Sequence, residues 1–121
     1  MAATLTIIAE AIHTRTPIRF RYVRRGKTPG TRTGNPHVAF LPNVATTKDE
    51  HVSLLLWQTE GATDEGPPLP SWRTFIVDSI VDVTMVAHGR PFGIAQSYRP
   101  EMYDRVIAAL GAPKADDTSA P

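Results

Sequence analysis

The chain has 121 residues, 41% of them hydrophobic, no cysteine and a formal net charge of +1 at pH 7. That length supports one modest core and not a catalytic domain with a separate regulatory one, while the lack of cysteine excludes disulfide scaffolds, thiolate zinc or iron–sulfur ligation and a thiol nucleophile. No run approaches the roughly 18 apolar residues of a membrane span and the N-terminus has no basic region followed by a cleavage site, so the reading is a cytoplasmic protein without a membrane partner.

Leu5, Ile8 and Ile12 fall at helical spacing with Ile7 and Ala11 beside them, which predicts a short helix over residues 5–13, stopped by Pro17. Next, Ile18-Arg19-Phe20-Arg21-Tyr22 alternates apolar and basic residues, so a strand buries Ile18, Phe20 and Tyr22 and displays Arg19 and Arg21. Residues 24–35 mix glycine, proline and threonine with basic side chains and read as an exposed loop. Two strands are expected at 38–44 and 51–58, joined by a hairpin connection at 45–50, and the second is apolar on both faces at Val52-Ser53-Leu54-Leu55-Leu56-Trp57, hence central. A Gly-, Pro- and acid-rich stretch at 59–71 reads as a surface excursion. Strands at 72–77 and 80–86 follow, joined by a turn at Asp78-Ser79, and Arg73 shares the inward side of Phe75 and Val77 at the strand's start, where it would emerge at the mouth of a barrel. Residues 100–110 suggest a closing helix, with Glu101 and Asp104 in its first turns, Met102, Val106 and Ala109 on one stripe and Gly111 as its stop. The expected architecture is a mainly β (α+β) domain over residues 1–111, a small five-stranded barrel with an N-terminal and a short C-terminal helix, and a disordered tail over 112–121.

The small net charge conceals a division. Residues 1–48 carry eight basic groups against one acid, a charge of +7, and residues 49–121 carry five against eleven, a charge of −6. Segregation of this kind makes a local positive potential that holds an anionic partner even on a nearly neutral molecule. The candidates for phosphate contact are Arg19, Arg21, Arg24, Arg25, Lys27, Arg32 and the mouth-facing Arg73, because guanidinium forks match phosphate geometry. Tyr22 offers a ring on which a base could stack.

Patterns for catalysis and cofactors are weak. Gly26-Lys27-Thr28 looks like the end of a phosphate-cradling loop, but Arg21 stands where that loop needs its first glycine, and Pro29 and Gly30 follow where it needs a helix. His13, His37, His51 and His88 show no metal-ligand spacing. No serine sits in a nucleophile elbow, and a turn cap plus an outward strand residue accounts for Asp78 and Asp82. A non-catalytic protein with no cofactor and no metal is the expectation.

The order of elements and several residues resemble the WYL domain, an Sm-like (SH3-type) β-barrel module of prokaryotic regulators. The resemblance spans roughly residues 5–92. Its carriers are Ala11-Ile12 before Ile18-x-Phe20-x-Tyr22, Arg32 and Pro36 opening the next strand, and Arg73-Thr74-Phe75-Ile76-Val77-Asp78-Ser79-Ile80. Val52-Ser53-Leu54 stands where the family has the Trp-Tyr-Leu that names it. The resemblance implies a barrel mouth that binds negatively charged ligands such as nucleotides or single-stranded nucleic acid, carried here by Tyr22 and Arg73 and, more weakly, Arg32 and His37. It also implies a stand-alone sensor whose transcriptional role would need a partner regulator chain, since too few residues precede the first strand for a helix-turn-helix. The alternative reading is a protein-interaction module that docks an acidic partner or pairs with a second copy as a homodimer through sheet edges and opposite charges.

Overall fold

The structure is a computed structural model and describes residues 2–42, 51–64, 66–86 and 89–114. The connection expected at 45–50, the end of the strand at Val44, His88 and the tail from 115 onward lie outside the described residues.

Helix α1 (Ala2–Thr14) sets Ile8, Ala11 and Ile12 fully into the core. It ends in a left-handed cap: Arg15 has φ 53°, its amide donates to the Ile12 carbonyl at 3.2 Å, and the Thr16 amide donates to the Ala11 carbonyl at 2.9 Å. This paired return satisfies the last carbonyls, and Pro17 then prevents any continuation. β1 (Ile18–Tyr22) alternates as its sequence dictates, with Ile18, Phe20 and Tyr22 buried and Arg19 and Arg21 exposed.

Where a loop is expected up to Asn35, β2 (Thr31–Leu41) already runs, through Gly34, Asn35 and Pro36. β2 pairs along one side with β3 (Ser53–Gly61), and on the other side first with β1 at residues 31–34 and then with β6 (Arg105–Ala109) at residues 38–41. Pro36 falls in the gap between these two partners and beside a bulge on the β3 side, the place where a missing N–H is best tolerated. Gly34 is needed because a Cβ there would lie 2.8 Å from the Gln58 Cα. β3 is buried on both faces from Ser53 to Gln58, as its apolar run requires.

β4 (Ser71–Ile76) and β5 (Ile80–Met85) are joined by a 3₁₀ turn at Val77–Ser79. The closing helix expected at 100–110 does not form: a 3₁₀ turn occupies Pro100–Met102 and β6 occupies Arg105–Ala109. The result is a mainly β fold with one N-terminal helix and a six-stranded antiparallel sheet, ordered β4-β3-β2-β1-β5 with β6 added to β2. Among the described residues no ladder joins β4 to β5, so the sheet is not closed; the Ile76 amide instead donates to the Tyr22 hydroxyl at 2.9 Å, linking β4 to β1 through a side chain. The core is filled by α1 and the inward residues of the sheet, with Phe20, Tyr22 and Phe75 in edge-to-face contact. No helix among the described residues is long and apolar enough to cross a membrane.

Candidate anion-binding site

β1 leaves the sheet at Val23, whose amide donates to the Ser79 carbonyl at 2.9 Å, and the chain turns over Arg24–Lys27 with the Lys27 amide on the Arg24 carbonyl and Gly26 at φ 82°. A side chain at that φ is strained, so glycine suits the turn. Residues 23–30 are all exposed. They fold back to form, with the end of β1, a concavity of about 380 Å³ lined by Arg21, Arg24, Arg25 and Lys27 together with Tyr22, Val23, Pro29 and Gly30.

The loop is held from below by Asp64. Its Oδ1 accepts the Thr28 amide at 2.6 Å and its Oδ2 lies 3.8 Å from the Arg32 guanidinium, which in turn donates to the Thr28 carbonyl at 2.5 Å. The hydrogen bonds from Thr28 above all, then the charges of Arg32 and Lys27, hold the Asp64 carboxyl below the usual carboxylate range. At the rim, the Arg21 Nε donates to Asp82 Oδ2 at 2.8 Å with both side chains exposed. Asp82 sits at φ 55° in the bulge by which β5 skips a residue against β1. Among the described residues no carboxylate pairs with Arg24, Arg25 or Lys27. Three cations around one concavity are thus available to an anion.

Arg32 does not belong to an exposed loop. It is 1% exposed, lies across β1 from Phe20, and its guanidinium sits over the rings of Tyr22 at 5.4 Å and Phe75 at 5.3 Å. Burial pushes its pKa down, partly offset by Asp64, while a guanidinium remains charged. Among the described residues its Nε finds no hydrogen-bond partner. Tyr22 is 4% exposed, pressed between Phe75 and Arg32, so its ring is no stacking platform.

The remaining candidates lie elsewhere. His37 is fully buried: the Ala95 amide donates to its Nε2 at 3.1 Å, which assigns the ring proton to Nδ1, facing the Asn35 carbonyl at 2.8 Å. Trp72, Phe92 and Tyr98 pack round the ring. Arg73 spends its guanidinium on the excursion after β3, donating to the Thr63 hydroxyl at 3.0 Å, the Ser71 hydroxyl, the Trp72 carbonyl at 3.0 Å and the Pro67 carbonyl at 2.6 Å. Arg19 is exposed on the outer face of β1, outside the concavity. Five of the nine expected residues therefore converge, namely Arg21, Tyr22, Arg24, Arg25 and Lys27, and Arg19, Arg32, His37 and Arg73 do not.

Thr28, Asp64 and Asp82 shape the site without having been expected there. The available signal for Asp64 was charge: a basic loop and a distant acidic stretch of similar length favour each other. Among the described residues no group of three or more His, Cys, Asp or Glu is disposed to hold a metal ion. Comparison of the chain with protein-family models, with curated proteins and with solved structures finds no match.

Proposed function

We propose that this chain is a non-catalytic, regulatory binding module of the cytoplasm that recognises an anionic ligand, a nucleotide or single-stranded nucleic acid, through the basic concavity between β1 and β2. The observation that carries the reading is the convergence of Arg21, Arg24, Arg25 and Lys27 on one opening, three of them without a carboxylate partner among the described residues. Guanidinium and ammonium donors on an exposed loop suit phosphate oxygens, and uncompensated cations give a salt-dependent affinity. A divergent SH3- or Sm-type barrel of the WYL kind is supported by the ladder order β4-β3-β2-β1-β5, the 3₁₀ turn between β4 and β5 and the side-chain link from Tyr22 to Ile76.

The test is fluorescence anisotropy of a labelled oligothymidylate at rising salt. Affinity falls steeply, and Arg25→Gln with Lys27→Gln lowers both the affinity and the salt slope, the slope by about 0.7 for each phosphate no longer neutralised. Binding that ignores salt, or no binding at low salt, overturns the reading.

A second reading, homodimerisation, is favoured by the β6 edge, where Val106 and Ile107 are 46% and 44% exposed beside Met102 at 72%. Unpaired apolar edges invite strand addition by a second copy. Light scattering that shows a dimer, abolished in Val106→Lys, supports it.

A further inference from the structure

The basic surface continues past the loop onto the sheet. Arg19 and Arg21 point to the same outer side of β1, with Cα atoms about 6.8 Å apart by strand geometry, comparable to the separation of adjacent phosphates along an extended nucleic-acid strand. The register sets Thr33 and Thr84 directly across from Arg19 on β2 and β5, and Thr31 directly across from Arg21. Opposed residues of antiparallel strands share a face. Arg19, Arg21, Thr31 and Thr84 are all exposed, and among the described residues no carboxylate pairs with Arg19. The acids near this patch mark its margins: Glu60 lies beyond Thr33 on β3, and Asp82 holds Arg21 from the β5 side.

We infer that this outer patch is a second subsite for the ligand of the loop concavity, and that the ligand is an extended single-stranded phosphodiester read through its backbone and not its bases. The inference rests on the reading of the concavity given above. The strand leaves the loop cations, sets adjacent phosphates on Arg21 and Arg19, and runs along β1 with the hydroxyls of Thr31 and Thr84 donating to non-bridging oxygens. Two threonine hydroxyls, each able to donate, flank two guanidinium groups where a phosphate chain would lie. No ring is offered to a base along this path: Tyr22 is covered by Phe75 and Arg32, its hydroxyl is occupied by the Ile76 amide, and β1, β2 and β5 present no aromatic residue on the outer patch. A stacking platform tolerates any base but needs a nucleobase; a row of donors does not.

The experiment compares four probes against the wild type, Arg19→Gln and Thr84→Val: an oligothymidylate long enough to cover both subsites, a mixed-sequence strand, an abasic strand of equal length and a dinucleotide. The abasic and mixed strands bind within about threefold of oligothymidylate, since the phosphates are the same. Arg19→Gln weakens all three strands severalfold and lowers their salt slope, leaves the dinucleotide unchanged, and keeps the wild-type thermal midpoint because Arg19 is exposed. Thr84→Val gives a smaller weakening of the same kind. If the strands bind and Arg19→Gln changes nothing, or if it weakens the dinucleotide equally, the second subsite is wrong while the concavity stands. An abasic strand that binds more than about tenfold more weakly shows that bases are read and overturns the inference. Failure of every probe at low salt removes the reading of the concavity, and this one with it.

Discussion

Arg25, Arg32 and Arg73 carry the same side chain to three different ends, and burial decides among them. Arg25 is exposed with no carboxylate partner among the described residues, Arg32 lies beneath the sheet against two rings and one carboxylate, and Arg73 is consumed by loop oxygens. Removing the counter-charge of a buried cation costs more than removing a surface pair. Asp64→Ala is therefore expected to lower stability by about 2 to 3 kcal/mol in urea unfolding, with Asp64→Asn between it and the wild type because an amide oxygen still accepts the Thr28 N–H. The Asp64 carboxyl is depressed in the folded state, so its contribution is present above the ordinary carboxylate pKa and disappears as pH falls through the lower folded value; the clamp should persist through mild acid. His37 illustrates a satisfied core imidazole. His37→Phe keeps the ring volume but orphans the Asn35 carbonyl and the Ala95 amide, and should cost roughly 2 to 4 kcal/mol by the same measurement. Tyr98 acts at the opposite end of the pH scale. Burial raises its pKa to about 12, and its hydroxyl donates to the Leu110 carbonyl at 2.9 Å. The unfolded phenol ionises near pH 10, so this stabilisation is complete below about pH 10 and disappears as pH climbs to about 12. Alkaline unfolding should fall in that window, and Tyr98→Phe should flatten it.

At the scale of elements, local signals succeeded where the apolar pattern itself states the burial of a strand and failed where a distant partner made the decision. The alternation of Ile18 to Tyr22 and the run from Ser53 to Trp57 state their burial in the sequence alone, and both strands are found, although β3 begins at Ser53 and runs to Gly61, into the stretch expected as a surface excursion. β2 was legible only from Val38 onward, because Gly34, Asn35 and Pro36 are poor strand formers; the ladder with β3 carries all three in the strand, and β1 pairs with Gly34 on the other edge. Once β2 begins at Thr31, Arg32 falls on the inner side opposite Phe20, which is why its burial escaped a local reading. β6 is the clearest failure. Met102, Val106 and Ala109 repeat at helical spacing, yet the free edge of β2 at Val38–Leu41 has backbone groups that a helix could not satisfy, and Val106 and Ile107 are β-branched. The concavity itself was half legible: the loop cations were visible as composition, while Asp64 reaches Thr28 and Arg32 only through the fold. Gly61 tests how the elements depend on close approach. It ends β3 at φ 105°, and a Cβ there would strike the Thr31 carbonyl and lie 2.9 Å from the Arg32 Cα. Gly61→Ala should cost several times the roughly 1 kcal/mol of an ordinary Gly→Ala change at a positive φ, read as a lower urea midpoint with unchanged slope.

Over the whole molecule, the division between a +7 and a −6 segment is partly spent inside the fold. Arg21 meets Asp82 and Arg32 meets Asp64, each joining one basic residue of the first segment to one acid of the second. What stays without a carboxylate at salt-bridge distance among the described residues is the set Arg19, Arg24, Arg25 and Lys27, so folding concentrates the charge asymmetry on one side of β1 and its loop. This arrangement gives Asp82 two opposed effects on an anionic ligand. Its charge repels phosphate, and its carboxylate fixes the Arg21 fork at 2.8 Å. Two substitutions separate them. Asp82→Asn removes the charge but keeps an acceptor for Nε and a side chain that tolerates φ 55°, so affinity for oligothymidylate should rise severalfold at low salt and converge on the wild type at high salt. Asp82→Gly also relieves the backbone but leaves Arg21 untethered; if the fork must be held, its affinity falls below that of Asp82→Asn at every salt concentration. Equal affinities for the two variants would mean that Asp82 acts on the ligand through its charge alone.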